Sequence, residues 1–364
     1  MTTWSLQQQE ALAKAVTWLR IKWAPWFYLA GYAGSGKTTL AKHIAEQARG
    51  EVAYAAFTGK AASVMRSKGC KGASTIHALI YDVAADPVTG KLVSTRKPTI
   101  GEYALIVVDE VSMVDEVVGN DLLSYGIPIL VLGDPAQLPP INGAGFFTSR
   151  DPDYLLTEVH RQAADSAILR LATEIREGRF VPTAWRGAGL TICTKRELEP
   201  DWVLGADMVI VGRNDTRMKY NSRIRQLKGI ASAMPAPAEP VICLENSREV
   251  GIFNGEIYVT RKITRRGRML SMTIHDPERD RNPFLVKVRR EFFENDVEAA
   301  KLPFKDLADT QRFTYGYAIT CHKSQGSQWP KVCVFDESGV FHRDARRWLC
   351  TAVTRASEHL TLVI

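Results

Sequence analysis

Residues 31–38 read GYAGSGKT. Glycines set ahead of a lysine–threonine pair let backbone N–H groups wrap a phosphate chain. On that chemistry Gly31, Gly34, Ser35, Gly36, Lys37, Thr38 and Thr39 are candidates to hold a nucleotide. Lys37 would reach the β- and γ-phosphates, and Thr38 would ligate Mg²⁺. A second run, LIVVDE at 105–110, ends an apolar stretch in two adjacent carboxylates. Asp109 is placed to hold Mg²⁺ through water, and Glu110 to orient or deprotonate an attacking water. A strand ending in two acids is common by itself. Following a phosphate loop it argues for ATP hydrolysis, because a small-molecule kinase would need no water-activating glutamate. A third run, LGDPAQLPPI at 132–141, offers Gln137 as a sensor of the γ-phosphate, while Pro139 and Pro140 can equally just stiffen a loop. Ser5-Leu6-Gln7-Gln8 has the spacing of a capping box, which alone does no more than start a helix.

These residues need strands to end where they stand. Short apolar runs at 26–30, 52–57, 104–108, 128–132, 207–211, 332–335 and 359–364 read as buried parallel strands. Helical patterns fill 6–20, 37–48, 60–68, 163–177 and 215–228 between them. That alternation predicts an α/β protein with functional loops at the carboxyl ends of its strands. Two stretches interrupt it. Residues 82–103 are loop-like, with Pro87 and Gly90 marking a hairpin turn, and 230–312 open on a Pro/Ala-rich linker and continue with β-like runs at 256–264 and 269–274.

The chain has 364 residues, enough for two domains, and its 45% hydrophobic and 24% charged content excludes disorder, collagen and coiled coil as global readings. Its net charge is +7, and residues 261–290 alone hold ten basic side chains against three acids, the whole of that excess. Such a block is either a solvated basic surface or a contact for a polyanion. Six scattered cysteines form no C-x-x-C pair and read as reduced thiols of a cytoplasmic protein. No apolar run is long enough to cross a membrane, and the polar N-terminus lacks the core of a signal peptide.

Taken together, the blocks resemble superfamily 1 helicases of the 5′→3′ branch, similar to RecD-like enzymes and the phage Dda helicase. The resemblance runs over nearly the whole chain in nine ordered blocks: S-x-x-Q at 5–8, GYAGSGKT at 31–38, FTGKAA at 57–62, STIHAL at 74–79, VVDEVSMVD at 107–115, GDPAQLPPI at 133–141, EVHRQ at 158–162, TCHKSQGSQ at 320–328 and TAVTRA at 351–356. It implies two RecA-like P-loop domains with parallel sheets. It implies that Gln8 reads the adenine edge, that Gly326 joins the nucleotide site, and that Arg161 and Arg355 reach the γ-phosphate from the second domain. A guanidinium in that place would neutralise charge on the transferred phosphoryl group. The strand-facing residues would be Thr58, Lys60, Thr75 and His77 in the first domain and Thr320, His322, Lys323 and Ser324 in the second. Hydroxyls and bases of this kind suit phosphate oxygens and carry little sequence information.

The resemblance also assigns the interruptions. Residues 82–103 take the place of a strand-separating β-hairpin pin, although the expected tip, Pro87 to Leu92, holds no aromatic. The basic stretch 236–311 takes the place of a small SH3-like insert, and Arg265, Arg266 and Arg268 within it would capture the strand electrostatically. The expected domains are therefore 1–157, with 82–103 inside it, then 158–235 with 312–364, and the insert 236–311. The expected function is an ATP- and Mg²⁺-dependent motor. It translocates 5′→3′ on single-stranded DNA, opens tailed duplexes, acts as a monomer with no further N-terminal domain, and works in the cytoplasm beside replication or repair partners. Two other readings stand beside it: the motor subunit of a nuclease or recombination assembly, and an ATP-switched loader with little unwinding.

Overall fold

The computed structural model describes residues 4–85, 92–139, 145–158, 166–179, 182–247, 250–277 and 282–364. The chain divides into two compact units, 1–180 with 346–354 and 181–345 with 355–364. Each has its own sheet.

The first unit contains β1 (Trp26–Gly31), β2 (Glu51–Ala56), β3 (Ser74–Thr75), β4 (Tyr81–Ala85), β5 (Leu92–Arg96), β6 (Tyr103–Asp109), β7 (Ile129–Gly133) and β8 (Tyr154–Leu156). Six of them form one sheet in the order β3-β2-β6-β7-β1-β8. Every pairing in it is parallel. The apolar runs are continuous because both faces of the sheet are covered. Phe27 and Leu29 pack with Trp18, Leu40 and Ile44 on one face, and Tyr28 and Ala30 pack with Ile76, Val118 and Phe147 on the other. The remaining strands, β4 and β5, pair antiparallel as a separate hairpin. The tip expected around Pro87 and Gly90 lies outside the described residues.

The second unit contains β9 (Trp185–Gly187), β10 (Leu190–Cys193), β11 (Met208–Val211), β12 (Pro240–Cys243), β13 (Ile257–Arg266), β14 (Met269–His275), β15 (Phe284–Arg289), β16 (Phe313–Tyr315), β17 (Ala318–Thr320), β18 (Trp329–Phe335) and β19 (Ala356–Val363). One sheet runs β17-β11-β18-β19-β10-β9 and is parallel except at its β9 edge. The other, β15-β14-β13-β12-β16, is antiparallel throughout. Along β14 the residues Leu270, Met272 and Ile274 are buried while Met269, Ser271, Thr273 and His275 are only partly so, the alternation of a sheet packed on one face. The chain is thus α/β, with the two parallel sheets of a RecA-like P-loop fold.

A helix of the second unit, Asn214–Leu227, buries charge. Arg217, Asn221 and Arg225 fall one helical turn apart on its inner face. Arg217 meets Asp296 at 2.5 Å and Arg225 meets Glu239 at 2.6 Å. Asn221 accepts from the N–H groups of Tyr317 and Ala318 and donates to the Ala318 carbonyl. Glu239 and Asp296 flank the antiparallel sheet, so the seam ties that sheet to its host unit.

Three boundaries differ from the sequence expectation. The first unit runs on to 180 instead of ending at 157, because the helix Ala167–Arg176 packs onto it: Arg176 lies over the Tyr32 ring and Cys350 Sγ donates to the Ala172 carbonyl. Residues 346–354, expected with the second unit, group with the first, where Thr351 Oγ1 accepts from the backbone N–H of Leu138 at 3.0 Å. The antiparallel sheet also reaches Tyr315, past the expected end at 311, because β16 pairs with β12.

Candidate functional site

The phosphate loop follows β1 and opens the helix Lys37–Ala45. Gly34 and Gly36 both take φ 81°, a left-handed conformation that other residues rarely adopt. Gly31 is needed for close approach, since a Cβ there would meet Ser35 Oγ at 2.5 Å and Leu156 Cβ at 2.9 Å. The loop is drawn in on itself. Lys37 Nζ donates to the carbonyls of Gly31 and of Tyr32, the latter at 3.1 Å, and the Tyr32 carbonyl also accepts from Ser35 N at 3.2 Å. Ser35 Oγ is buried and has no hydrogen-bond partner among the described residues. An orphaned hydroxyl, an ammonium on exchangeable carbonyls and a glycine cradle at a helix N-terminus fit a polyphosphate.

The acids meet this loop because β6, β7 and β1 are adjacent and parallel, so their carboxyl ends share one edge. Thr38 Oγ1 donates to Asp109 Oδ2 at 3.1 Å. Asp109 Oδ1 accepts from the backbone N–H of Glu110, which has φ 55° and ψ 45°. That left-handed turn carries Glu110 off the line of the strand, a local conformation the sequence does not announce. A hydroxyl and a carboxylate side by side suit Mg²⁺, so the donor set fits the expected ion.

At the end of β7, buried Asp134 accepts from Ala136 N at 2.9 Å, and Gln137 N donates to the Asp134 carbonyl. Gln137 Oε1 is buried without a partner among the described residues. Its neighbours Pro140 and Ile141 lie outside them, as does Arg161.

Gln8 sits beside the phosphate loop, and its carboxamide is engaged. Oε1 accepts from Ser5 N at 3.1 Å, completing a reciprocal capping box, and Nε2 donates to the Ser35 carbonyl at 3.1 Å. An adenine edge would have to displace these bonds. Gln7, which sequence reading passed over, grips the chain after β8: its Oε1 accepts from Thr157 N and Glu158 N, and its Nε2 donates to Thr157 Oγ1. Nothing in a run of three glutamines distinguishes it.

The expected strand contacts separate into two groups. His77 is exposed, with its ring 6.1 Å from Phe57 and 5.5 Å from Tyr81. Desolvation by these neighbours lowers its pKa, against the opposing charge of Asp115. Lys60 lies in the first turn of the helix Gly59–Ser67. Half-buried His322 packs against Phe341 at 5.6 Å, and burial lowers its pKa against the pull of Asp344. For Lys323, burial and then the Arg217 charge push the ammonium below its ordinary value, opposed by Asp296 and Cys243. The hydroxyls do other work. Thr58 and Thr75 cap helices, accepting from Ala61 N and Ala78 N at 3.1 Å. Thr75 and Thr320 are buried. Ser324 corrects the expectation outright. It has no exposed surface and donates to the Cys321 carbonyl at 2.7 Å, so its hydroxyl does not face a strand.

Gly326, with φ 76°, turns the chain out of the same block. Arg355 is buried in the second unit, and its guanidinium donates to the Ser327 carbonyl at 3.1 Å. Arg265, Arg266 and Arg268 are exposed around the β13–β14 turn. Arg279 and Arg281 of the basic block lie outside the described residues.

A family model described as an AAA domain matches residues 5–188, and one described as a UvrD-like helicase C-terminal domain matches 315–363. The ATP-dependent RecD2 DNA helicase of Deinococcus radiodurans is 28% identical over 91% of this chain and 46% of its own length. The ATP-dependent DNA helicase PIF1 of Xenopus laevis is 28% identical over 56% of this chain and 35% of its own. This chain therefore spans less than half of either relative. Among solved structures, one of two coordinating Pif1 helicases at forked double-stranded DNA superposes with a TM-score of 0.61, and one of Bacteroides Pif1 bound to single-stranded DNA with 0.59. Each shares 16% identity and covers 100% of this chain and 92% of the other. By its domain match the chain belongs to the AAA domain family, and its ordered blocks are similar to those of superfamily 1 helicases.

Proposed function

We propose that this chain is an ATP-dependent DNA helicase that translocates 5′→3′ on single-stranded DNA and separates duplex strands. The observation that carries the reading is the bond between Thr38 and Asp109, which joins a phosphate loop to a strand-end carboxylate pair. The named activity of the Deinococcus RecD2 relative and the single strand bound by Bacteroides Pif1 support the substrate. A further Bacteroides Pif1 structure, with ADP-AlF₃ and single-stranded DNA, supports nucleotide use at the same kind of fold.

In this mechanism Lys37 leaves the carbonyls of Gly31 and Tyr32 for the β- and γ-phosphates. Thr38 and Asp109 would hold Mg²⁺, which would neutralise charge on the transferred phosphoryl group. Glu110 orients the attacking water and accepts its proton. Gln137 reads the γ-phosphate, and Arg161 and Arg355 stabilise the charge that develops there. Strand contact falls to Lys60, His77, His322 and Lys323, with the arginines at the β13–β14 turn adding capture. The chain acts as a monomer. Its six free, buried cysteines support a reducing compartment, the cytoplasm.

The test is ATP hydrolysis with and without single-stranded DNA, then unwinding of duplexes bearing a 5′ or a 3′ tail. Stimulation by the strand and activity on the 5′-tailed duplex alone are expected. Hydrolysis indifferent to DNA would remove the motor. Stimulated hydrolysis without unwinding would favour a loader, and unwinding from the 3′ tail would reverse the polarity. Glu110→Gln should bind ATP and turn it over about 10²- to 10⁴-fold more slowly.

A further inference from the structure

The loop after β18 lies outside every motif block, yet it is held by a set of side-chain hydrogen bonds. Its root is Glu337. Oε2 accepts from Gly212 N at 2.6 Å and Arg213 N at 3.0 Å, while Oε1 accepts from Thr216 Oγ1 at 2.7 Å. The carboxylate thereby holds the two residues that lead into the helix Asn214–Leu227 and the Thr216 hydroxyl of its first turn, and its charge lies at the positive end of that helix. Asp336 Oδ1 adds a bond from Ser338 N at 2.8 Å. From this anchor a 3₁₀ stretch, Ser338–Asp344, runs to His342, where the backbone takes φ 45° and ψ −105°. No ordinary basin for a non-glycine residue contains that conformation. It persists only where the surroundings over-determine it, and such residues gather at functional sites.

The strained turn fixes an aromatic side chain. Phe341 precedes His342, and its ring stands 5.6 Å from that of His322 with an interplanar angle of 46°. The ring also closes over Gly212, where a Cβ would come within 3.0 Å of it. Around it Val340 is 38% exposed and His342 and Arg343 are exposed. Burial pushes the His322 pKa below its usual value, opposed by the charge of Asp344.

We propose that Phe341, paired with His322, is a base-stacking platform for single-stranded nucleic acid, with Arg343 beside it for the backbone phosphates. Every base has a π face, so a half-buried aromatic pair flanked by a cation grips a strand without reading its sequence. The loop's anchorage gives the ring a fixed position at little further ordering cost. This inference rests on the proposed strand-binding function and adds a contact that the TCHKSQGSQ block lacks, because that block carries no aromatic other than His322.

The experiment compares the affinities of the full chain for a 20-nucleotide oligothymidine and for an abasic strand of equal length, by fluorescence anisotropy. Phe341→Ala should weaken oligothymidine binding about 10-fold, equivalent to about 1.4 kcal/mol. Its affinity for the abasic strand and its ATPase without DNA should match those of the unsubstituted protein. Phe341→Trp should restore oligothymidine binding, which also guards against a folding defect in the alanine variant. Equal losses on both strands would overturn the platform and leave Phe341 a packing residue on Gly212. Unchanged oligothymidine binding would overturn it too, as would a tryptophan variant as weak as the alanine one. An unsubstituted protein that binds neither strand would instead bring down the proposed function, and this inference with it.

Discussion

Thr38 Oγ1 lies 3.1 Å from Asp109 Oδ2, a bond between the start of the phosphate-loop helix and the end of β6, two strands away in the sheet. Both atoms are the ones a divalent cation would take. Thr38→Ala should therefore do more than slow hydrolysis. The Mg²⁺ concentration for half-maximal ATPase should rise, and turnover should fall at least about 10-fold, the scale of 1.4 kcal/mol. Thr38→Ser keeps the hydroxyl and should behave like the unsubstituted protein. A Mg²⁺ titration checks this, and an unmoved midpoint in the alanine variant would separate the pair from the metal.

Arg176 holds the same loop from its other side. Its guanidinium carbon lies 3.6 Å from the centre of the Tyr32 ring, while the Tyr32 carbonyl receives both Ser35 N and Lys37 Nζ. A contact of this kind contributes about 0.5–2 kcal/mol. Losing it should loosen the loop that receives the phosphates, raising KM for ATP by about 2- to 30-fold with kcat largely retained. Tyr32→Phe keeps the ring and should be silent. Tyr32→Leu should match Arg176→Ala, and the double variant should be no worse than either. Steady-state kinetics on the four proteins closes the cycle, and additive losses would mean that the two residues act separately.

What could be read from the residues depended on how local the cause is. The runs 26–30, 104–108 and 128–132 announce β1, β6 and β7 because strands buried on both faces must be apolar throughout. With the glycines of the phosphate loop they locate Lys37, Thr38, Asp109 and Glu110 along the chain. Short strands such as β8 and β17, three residues each, give no period to detect. The helix Asn214–Leu227 is legible as a helix, but its buried face of Arg217, Asn221 and Arg225 contradicts any rule that charge lies outside. Its partners Asp296 and Glu239 are distant in sequence, so only the fold reveals the pairing. Ser324 fails for a related reason. Its block suggested a strand contact, and whether a hydroxyl faces out is decided by how the turn packs.

That buried seam is itself testable. Arg217 and Asp296 are both buried and meet at 2.5 Å. Removing one partner strands the other charge in a low-dielectric site, which costs about 3–5 kcal/mol. Asp296→Ala should therefore lower the stability of the second unit by about that amount in urea unfolding at neutral pH. Replacing both partners, as Arg217→Met with Asp296→Leu, should recover most of the loss. A double variant as unstable as the single one would show that the hydrogen bonds around the pair, not the stranded charge, set the cost.

The basic block gives the last prediction. Arg265, Arg266 and Arg268 surround Gly267 at the β13–β14 turn, with side chains exposed to solvent. Arg265 Nε donates to the Gly267 carbonyl within the turn, at 3.2 Å, and Arg268 stands 3.8 Å from Glu291 with 74% of its side chain exposed. Exposed pairs of this kind contribute little to folding. Substituting all three arginines with glutamine should therefore leave the fold and the ATPase without DNA intact. If each neutralises one phosphate, the slope of log affinity against log salt should flatten by about 2, since a single strand releases about 0.7 counterion per contact. The measurement is oligothymidine affinity across a salt series. Weaker binding with an unchanged slope would mean that the arginines act by shape or hydrogen bonding. No change in either would leave the block a solvated surface, and strand capture would then fall to Lys60, His77, His322 and Lys323 alone.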